Sequence, residues 1–426
     1  MLRISDQVYL PSTERSGFEP GLSEEERAIQ EKVHRFAADV MRPAGRALDA
    51  MSATEAIAPS SPFWQVHAQA VELGLGGDAI ASLPPEVANR VQCLISEELG
   101  WGDLGLATSM AAAGVPMLVA QAAGNAELME LAAGKIGCWV VTHADRGSDA
   151  TSLYSSERHP GTDGNIGNLQ AVVTDDEIVI NGSCSEWVSN GAVAQIGALY
   201  IPADYGDGFL AEDGHPNGVG VVVPFDLEGV TVGQPIEKLG QRALPQGAIH
   251  FNEVRVPRSF AVAQKDGFYP GFASSWSYAG TFLSQASAGL ARAAFEEALA
   301  FTHERVQGGA LLADQQLTHY RLGRMGRRVE TARAMARRAS EFAQIAEHTH
   351  PYVTAQAKAT CSQEAFEVAN EALQMFGAVG LTPEKPVEKL LRDARASLIE
   401  DGENYVLTMR FGALLSQLYK EGWTRN

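Results

Sequence analysis

The residues from Gly137 to about Val256 set the strongest limit on what this chain can fold into. Short runs rich in β-branched residues, "CWVVT", "LQAVVT", "EIVINGS", "VGVVVPF" and "AIHFNEVRV", are separated there by Gly, Asn, Asp and Pro. Such runs suit the strands of a small antiparallel β domain, and "INGS" after "EIV" reads as a turn between two of them. On either side the apolar period lengthens to that of a helix. Ser23 with Glu26 makes a capping-box pattern ahead of a stripe at Ile29, Val33, Phe36, Ala37 and Val40. "PEVANRVQCLISEELG" reads as a second amphipathic helix with Gly100 as its terminator, and the Ala/Ser/Pro-rich residues from about 50 to 62 read as a loop. After "VRVPRSF" come long Ala-rich segments broken at Gly and Pro, which suit a helical bundle. The expected architecture is α+β and mainly α. It has a tail (1–21), an N-terminal helical domain (22–136), a middle antiparallel β domain (137–256) and a C-terminal helical bundle (257–426).

Several classes of function are disfavoured at this stage. No alternating βα pattern supports a doubly wound sheet, and "GAVG" within "QMFGAVGLTP" neither matches GxGxxG nor follows a strand. A formal charge of −19 argues against a nucleic-acid partner, since phosphate binding needs clustered Lys and Arg. No basic amphipathic arm suggests a membrane surface, and no apolar run of about 18 residues is expected to span one. The polar N-terminus lacks the apolar core of a signal peptide, so a cytoplasmic location is expected. Cys93, Cys138, Cys184 and Cys361 are scattered without CxxC spacing and read as buried small apolar residues. The histidines show no HExxH, so no metal is expected.

The stretch "SLIEDGENY" (Ser397–Tyr405) breaks the last helical region with Glu400 and Asp401 directly before Gly402 and with Glu403 one further on. Acidic residues at a helix N-terminus are ordinarily a solvated complement to its dipole. Two adjacent carboxylates that are buried together instead raise each other's pKa, which suits proton-transfer chemistry.

Four separated segments carry a family resemblance. They are "VVTHADRGSD" (Val140–Asp149), "EWVSNG" (Glu186–Gly191), "ERVQGGALLADQQ" (Glu304–Gln316) and "QMFGAVGLTPEKPVEKLLRDARASLIEDG" (Gln374–Gly402). With "EELG" and "FNEVRVP" at the expected intervals, the chain resembles the acyl-CoA dehydrogenase family from residue 22 onward. The resemblance implies a helical domain, a β domain and a C-terminal four-helix bundle, FAD as cofactor, and a homotetramer (or homodimer). It further implies oxidation of an acyl-CoA to the 2,3-enoyl thioester, with an electron-transferring flavoprotein as oxidant.

Residue by residue, the resemblance makes Asp401 the base, where many members carry Glu before Gly, and sets Glu400 at their tyrosine. Val141, Thr142, Gly147, Ser148, Trp187 and Ser189 match flavin contacts. Arg305, Gln307, Gln316, Gln374, Gly377 and Glu403 are implied contacts of the rest of FAD, several of them across a subunit interface. Ser148, Asp401 and Gly402 are implied substrate contacts, with the Asp401 N–H as an oxyanion donor. Taken singly, Trp187 is a core aromatic, Arg305 a surface residue at a helix end and Gly377 a helix terminator.

There are also departures from the pattern. His143-Ala144 replaces Glu-Pro, Gly308 replaces a Phe, and Ala378 replaces a second Gly. Ser277 and Gly280 fall where an Asp and an Arg often meet CoA. These departures leave other readings of the same fold open: oxidation of a nitroalkane or of a carrier-protein thioester, or a flavin-binding subunit of low activity in a hetero-oligomer.

Overall fold

The computed structural model describes residues 17, 19, 21–75, 83–148, 166–210, 217–345 and 351–422. Asp149 of the "VVTHADRGSD" segment lies outside these residues, as does the "AEDGHP" stretch at 211–216.

The N-terminal helices are α1 (Glu24–Phe36), α2 (Arg42–Asp49), α3 (Ala53–Ala56), α4 (Pro62–Glu72), α5 (Pro85–Gly102), α6 (Leu104–Ala122) and α7 (Ala126–Ala132). The capping box at Ser23 and Glu26 forms as the sequence suggests: each residue's side chain takes the other's backbone N–H. Two expectations fail here. The 50–62 segment holds α3, started by a second capping box at Ser52 and Glu55, so short local bonds overcome its loop-like composition. Helix α5 runs past Gly100 to Gly102 and stops only where Asp103 turns extended and caps α6 by accepting from the Leu106 N–H.

Gly100 is needed for packing instead. A Cβ there would sit 2.1 Å from the Ala286 carbonyl oxygen of a crossing helix. Helix α6 also corrects the expectation of no long apolar run. It is uncharged, has a mean hydropathy of 1.4 over 18 residues and is long enough to cross a membrane. It is 61% buried over that window and packs against the sheet, as a core helix does.

Eight strands form one mixed sheet: β1 (Gly137–Val140), β2 (Gln170–Val173), β3 (Glu177–Ser183), β4 (Ile196–Asp204), β5 (Gly218–Pro224), β6 (Val230–Val232), β7 (Ile249–Pro257) and β8 (Ala261–Gln264). Most pairings are antiparallel, but β1 and β2 both run parallel to β4, β1 beside its start and β2 beside its end. "INGS" is not a turn. Strand β3 continues through it to pair with β7, with a bulge between Ile180 and Gly182 that absorbs the Asn-Gly irregularity. The sheet also continues past Val256, because β8 pairs with β5.

The C-terminal bundle holds α8 (Phe268–Glu304), α9 (Gln316–Ile345), α10 (Tyr352–Phe376), α11 (Val387–Ser397) and α12 (Asn404–Lys420). One apolar core, including Phe36, Leu99, Leu283, Val329 and Phe376, runs through both helical regions, and a second joins α6 and the first turns of α8 to the sheet. A buried ion network crosses the same boundary. Arg292 of α8 meets Glu97 at 3.0 Å and Glu98 at 2.5 Å, and Arg333 of α9 meets Glu97 at 2.7 Å. The four cysteines are buried free thiols, as their spacing suggests.

Candidate active site

A cavity of about 810 Å³ opens between the sheet, α6 and the bundle. Its walls follow from where each element ends. Strand β1 delivers Trp139, Val141 and Thr142, and the turn after it is pinned to the end of β3 by Ala144 N–H to Ser183 O (3.2 Å) and Ser185 N–H to Thr142 O (3.1 Å). Thr142 Oγ1 and Ser185 Oγ lie 2.7 Å apart. Helix α6 adds Thr108, Ala111, Ala112 and Val115, and α8 adds Trp276, Tyr278 and Phe282.

Three large apolar side chains on this wall stay open to solvent: Trp187 at 61%, Leu239 at 65% and Ile399 at 54%. Leaving such groups exposed beside a cavity is unfavourable for an isolated chain and suits a flat apolar ligand. The serine and threonine hydroxyls around them suit its polar edge. An isoalloxazine fits that donor set.

The acidic loop lies at one side. Helix α11 ends at Ser397, and the chain turns through Glu400, Asp401 and Gly402 before Glu403 caps α12, its carboxylate accepting from the Val406 N–H at 3.0 Å. The helix-start role that could explain all three acids thus belongs to Glu403 alone. Glu400 and Asp401 line the cavity. Asp401 sits at φ +49°, a left-handed conformation that Asp tolerates better than Glu. Local conformation therefore favours the shorter acid here. Among the described residues no donor reaches the Asp401 carboxylate and no acceptor takes its N–H, whereas Glu400 Oε1 accepts from Gln241 Nε2 at 2.7 Å.

Burial sets the electrostatics. It pushes Glu400 up to about 7, with Asp401 adding to the rise and Gln241, Lys358 and Lys238 holding it back. Asp401 is raised by burial, against the pull of Lys358. Lys238 is brought down to about 7 by burial, opposed by Glu400 and Asp393, and donates to Leu244 O (2.7 Å) and Gln246 Oε1 (2.6 Å).

The sequence-derived residues divide into two groups. Val141, Thr142, Gly147, Ser148, Trp187, Ser189, Glu400, Asp401 and Gly402 share the cavity. Arg305, Gln307, Gln316, Gln374 and Gly377 do not line it. They are exposed at one end of the bundle, where α8 and α10 finish side by side with Phe301 stacked on Phe376 at 4.0 Å. Glu403 is tied to the first group through its N–H, which donates to Ser148 Oγ at 3.3 Å. His143 is buried in the cavity wall and takes part in the local backbone turn with Arg146, a structural role. Sequence reasoning passed over Lys238, Gln241 and Lys358. A lysine in the Ala-rich, otherwise uncharged first half of α10 is the signal that could have found Lys358.

Comparison with known proteins agrees with this arrangement. The model of the acyl-CoA dehydrogenase C-terminal domain matches residues 281–415. A probable acyl-CoA dehydrogenase, FadE25 of Mycobacterium tuberculosis, is 25% identical over 354 residues, covering 82% of this chain and 83% of that one. A 3-sulfinopropanoyl-CoA desulfinase of Advenella mimigardefordensis is 28% identical over 268 residues, 61% of this chain and 64% of that protein. Among solved structures, butyryl-CoA dehydrogenase of Megasphaera elsdenii superposes with a TM-score of 0.78 at 23% identity, covering 93% of this chain and 100% of that one. An acyl-CoA dehydrogenase of Bacillus anthracis complexed with FAD gives 0.78 at 19% identity, covering 95% and 69%.

A sheet between two helical regions, with an acid-bearing cavity where sheet and bundle meet, is the three-part fold that these structures share. Over residues 281–415 the chain matches the C-terminal domain of acyl-CoA dehydrogenases, and over most of its length it is similar to a probable acyl-CoA dehydrogenase.

Proposed function

We propose that this protein is an FAD-dependent dehydrogenase of acyl-CoA thioesters that forms the 2,3-enoyl product, with Asp401 as the base for the α-proton. The observation that carries the reading is the Asp401 carboxylate. It lines the same cavity as Trp187 and Thr142, is raised by burial and has no hydrogen-bond donor among the described residues. A base must be free and partly stripped of water, and both conditions support Asp401 among the described residues. Its own N–H is free to donate to the thioester oxygen as negative charge develops there. Trp187, Thr142, Ser148 and Ser189 would hold the flavin ring. Bound FAD supplies the two-electron acceptor for the β-hydrogen.

Arg305, Gln307, Gln316, Gln374 and Gly377 support an assembly in which they serve the FAD of a neighbouring copy, as in a homotetramer. They are exposed, clustered and outside their own chain's cavity. Arg305 suits a pyrophosphate through its planar fork of donors. An electron-transferring flavoprotein is the proposed oxidant.

The test is anaerobic titration of the purified yellow protein with a panel of acyl-CoAs, followed by the flavin spectrum. Bleaching by at least one acyl-CoA is expected. If no acyl thioester bleaches the flavin, the reading is wrong.

A further inference from the structure

Beneath the acidic loop, α10 presents one buried cation. Lys358 is 1% exposed, and its ammonium donates to the Gly402 carbonyl at 2.8 Å and to Asn404 Oδ1 at 3.0 Å. Asn404 is fixed in turn by donating to Ala359 O at 3.2 Å and Ser362 Oγ at 3.0 Å, both on the same helix. The lysine thus grips the chain immediately after Asp401, and Trp276 Nε1 stands 3.5 Å from the Asp401 carbonyl on the other side.

We propose that Lys358 is a positioning residue for Asp401: its donors fix the loop that carries the base, and its charge, set in a buried site, steadies the ionised carboxylate. The assignment takes its functional meaning from the reading of Asp401 as base, but its physical content does not depend on any substrate.

A fully buried lysine that served only to fill space would be replaced at little loss by an apolar side chain, because desolvating an ammonium is costly. This one bonds to a carbonyl and an amide, neither of them charged. The carboxylates of Glu400, Asp401 and Glu403 all act to keep it protonated, while burial brings it down to about 8. The same interaction, seen from the loop, opposes the rise that burial imposes on Asp401.

Other charged groups also face this region. Glu400 and Glu403 are on the loop itself, and Lys238 comes from the segment before β7. His143, Asp145, Arg146 and Arg395 lie on the same cavity wall, and Arg410 of α12 donates to Ser148 O at 3.1 Å. Lys358 is bonded directly to the Asp401–Gly402 turn through the Gly402 carbonyl.

The test is an infrared pH titration of the protonated-carboxyl band in the purified full-length holoprotein, with Asp401→Asn assigning the Asp401 component. Lys358→Gln keeps a donor and removes the charge. It is expected to move the Asp401 midpoint upward by about one pH unit or more. Asn404→Ala removes the neutral half of the clamp and keeps the ammonium, so the midpoint is expected to stay. Lys358→Arg, with its charge retained, is expected to stay nearer the native midpoint than Lys358→Gln.

Coincident curves for Lys358→Gln and the native protein overturn the proposal. So does an equal shift in Asn404→Ala or Lys358→Arg, because loop packing rather than charge would then set the midpoint. Failure of acyl-CoA to bleach the flavin leaves this titration readable, so the two failures are distinct.

Discussion

Gln241 and Glu400 join the sheet region to the acidic loop: the Gln241 side-chain amide donates to Glu400 Oε1 at 2.7 Å while its backbone N–H donates to Asp393 Oδ1 at 2.5 Å. Asp393 is held by Lys389, which also reaches Asp103 at the cap of α6. A continuous polar chain thus ties the loop carrying Asp401 to the helix that forms the opposite part of the cavity wall. Gln241 itself takes a left-handed backbone, φ +50°, to make both bonds.

Asp401→Asn removes the proposed base while keeping the shape and the tolerance of a left-handed φ, so the fold and the flavin are expected to remain. Flavin reduction by substrate, followed by stopped flow, is expected to fall by about 10²–10⁴. Reduction at the native rate would remove Asp401 from the mechanism.

Glu400 gives a stability prediction with a definite sign. Its carboxyl rises from 4.5 in the unfolded chain to about 7 in the folded one, so the folded state holds the proton longer. Stability from this group is therefore present below about pH 4.5 and is lost as pH rises through 7. Glu400→Gln imitates the protonated form. It is expected to be more stable than the native protein at pH 8, by roughly 1–3 kcal/mol, with the gain shrinking toward pH 5. Urea midpoints at the two pH values measure this, and a pH-independent difference would contradict it.

Trp187→Ala is expected to weaken FAD binding about tenfold or more, through loss of an aromatic face. Flavin fluorescence on dilution of the holoprotein reads the dissociation constant. The exposure of Trp187 to solvent means that the fold should lose little, so an unchanged melting temperature for the flavin-free protein belongs to the same prediction.

The division into helices, sheet and helices was legible because apolar periodicity reports which face each element buries. Cavity positions were legible only through resemblance. Trp187 alone looks like a core residue, and nothing local shows that the turn after β3 leaves it open. Lys238, Gln241 and Lys358 were not legible, because their partners lie far along the chain: Gln241 meets Glu400, and Lys358 meets Gly402, only after the sheet and bundle have packed. Two of the failed expectations share a cause. Gly100 and the Asn-Gly of "INGS" are breakers by local preference, but tertiary contact decides otherwise: a helix crossing at Ala286 in the first case and a bulged ladder to β7 in the second.

Arg292 supplies the last prediction, which concerns the whole assembly of domains. It is 3% exposed and bonds to Glu97 and Glu98 of α5 from α8, and those two carboxylates are themselves buried. Burial opposes its charge, yet the facing glutamates hold its pKa above the usual arginine value. They are in turn held low, Glu98 to about 2. Replacing both sides of such a network by apolar groups could be neutral, but removing the arginine alone strands two buried carboxylates. Arg333 and Arg337 relieve Glu97, and Glu98 keeps His34 at 2.8 Å and the Gln30 amide at 3.0 Å. Arg292→Met is therefore expected to cost about 3–5 kcal/mol, read as a lower urea midpoint at pH 7. A cost below about 1 kcal/mol would mean that the apolar core alone joins the two helical regions.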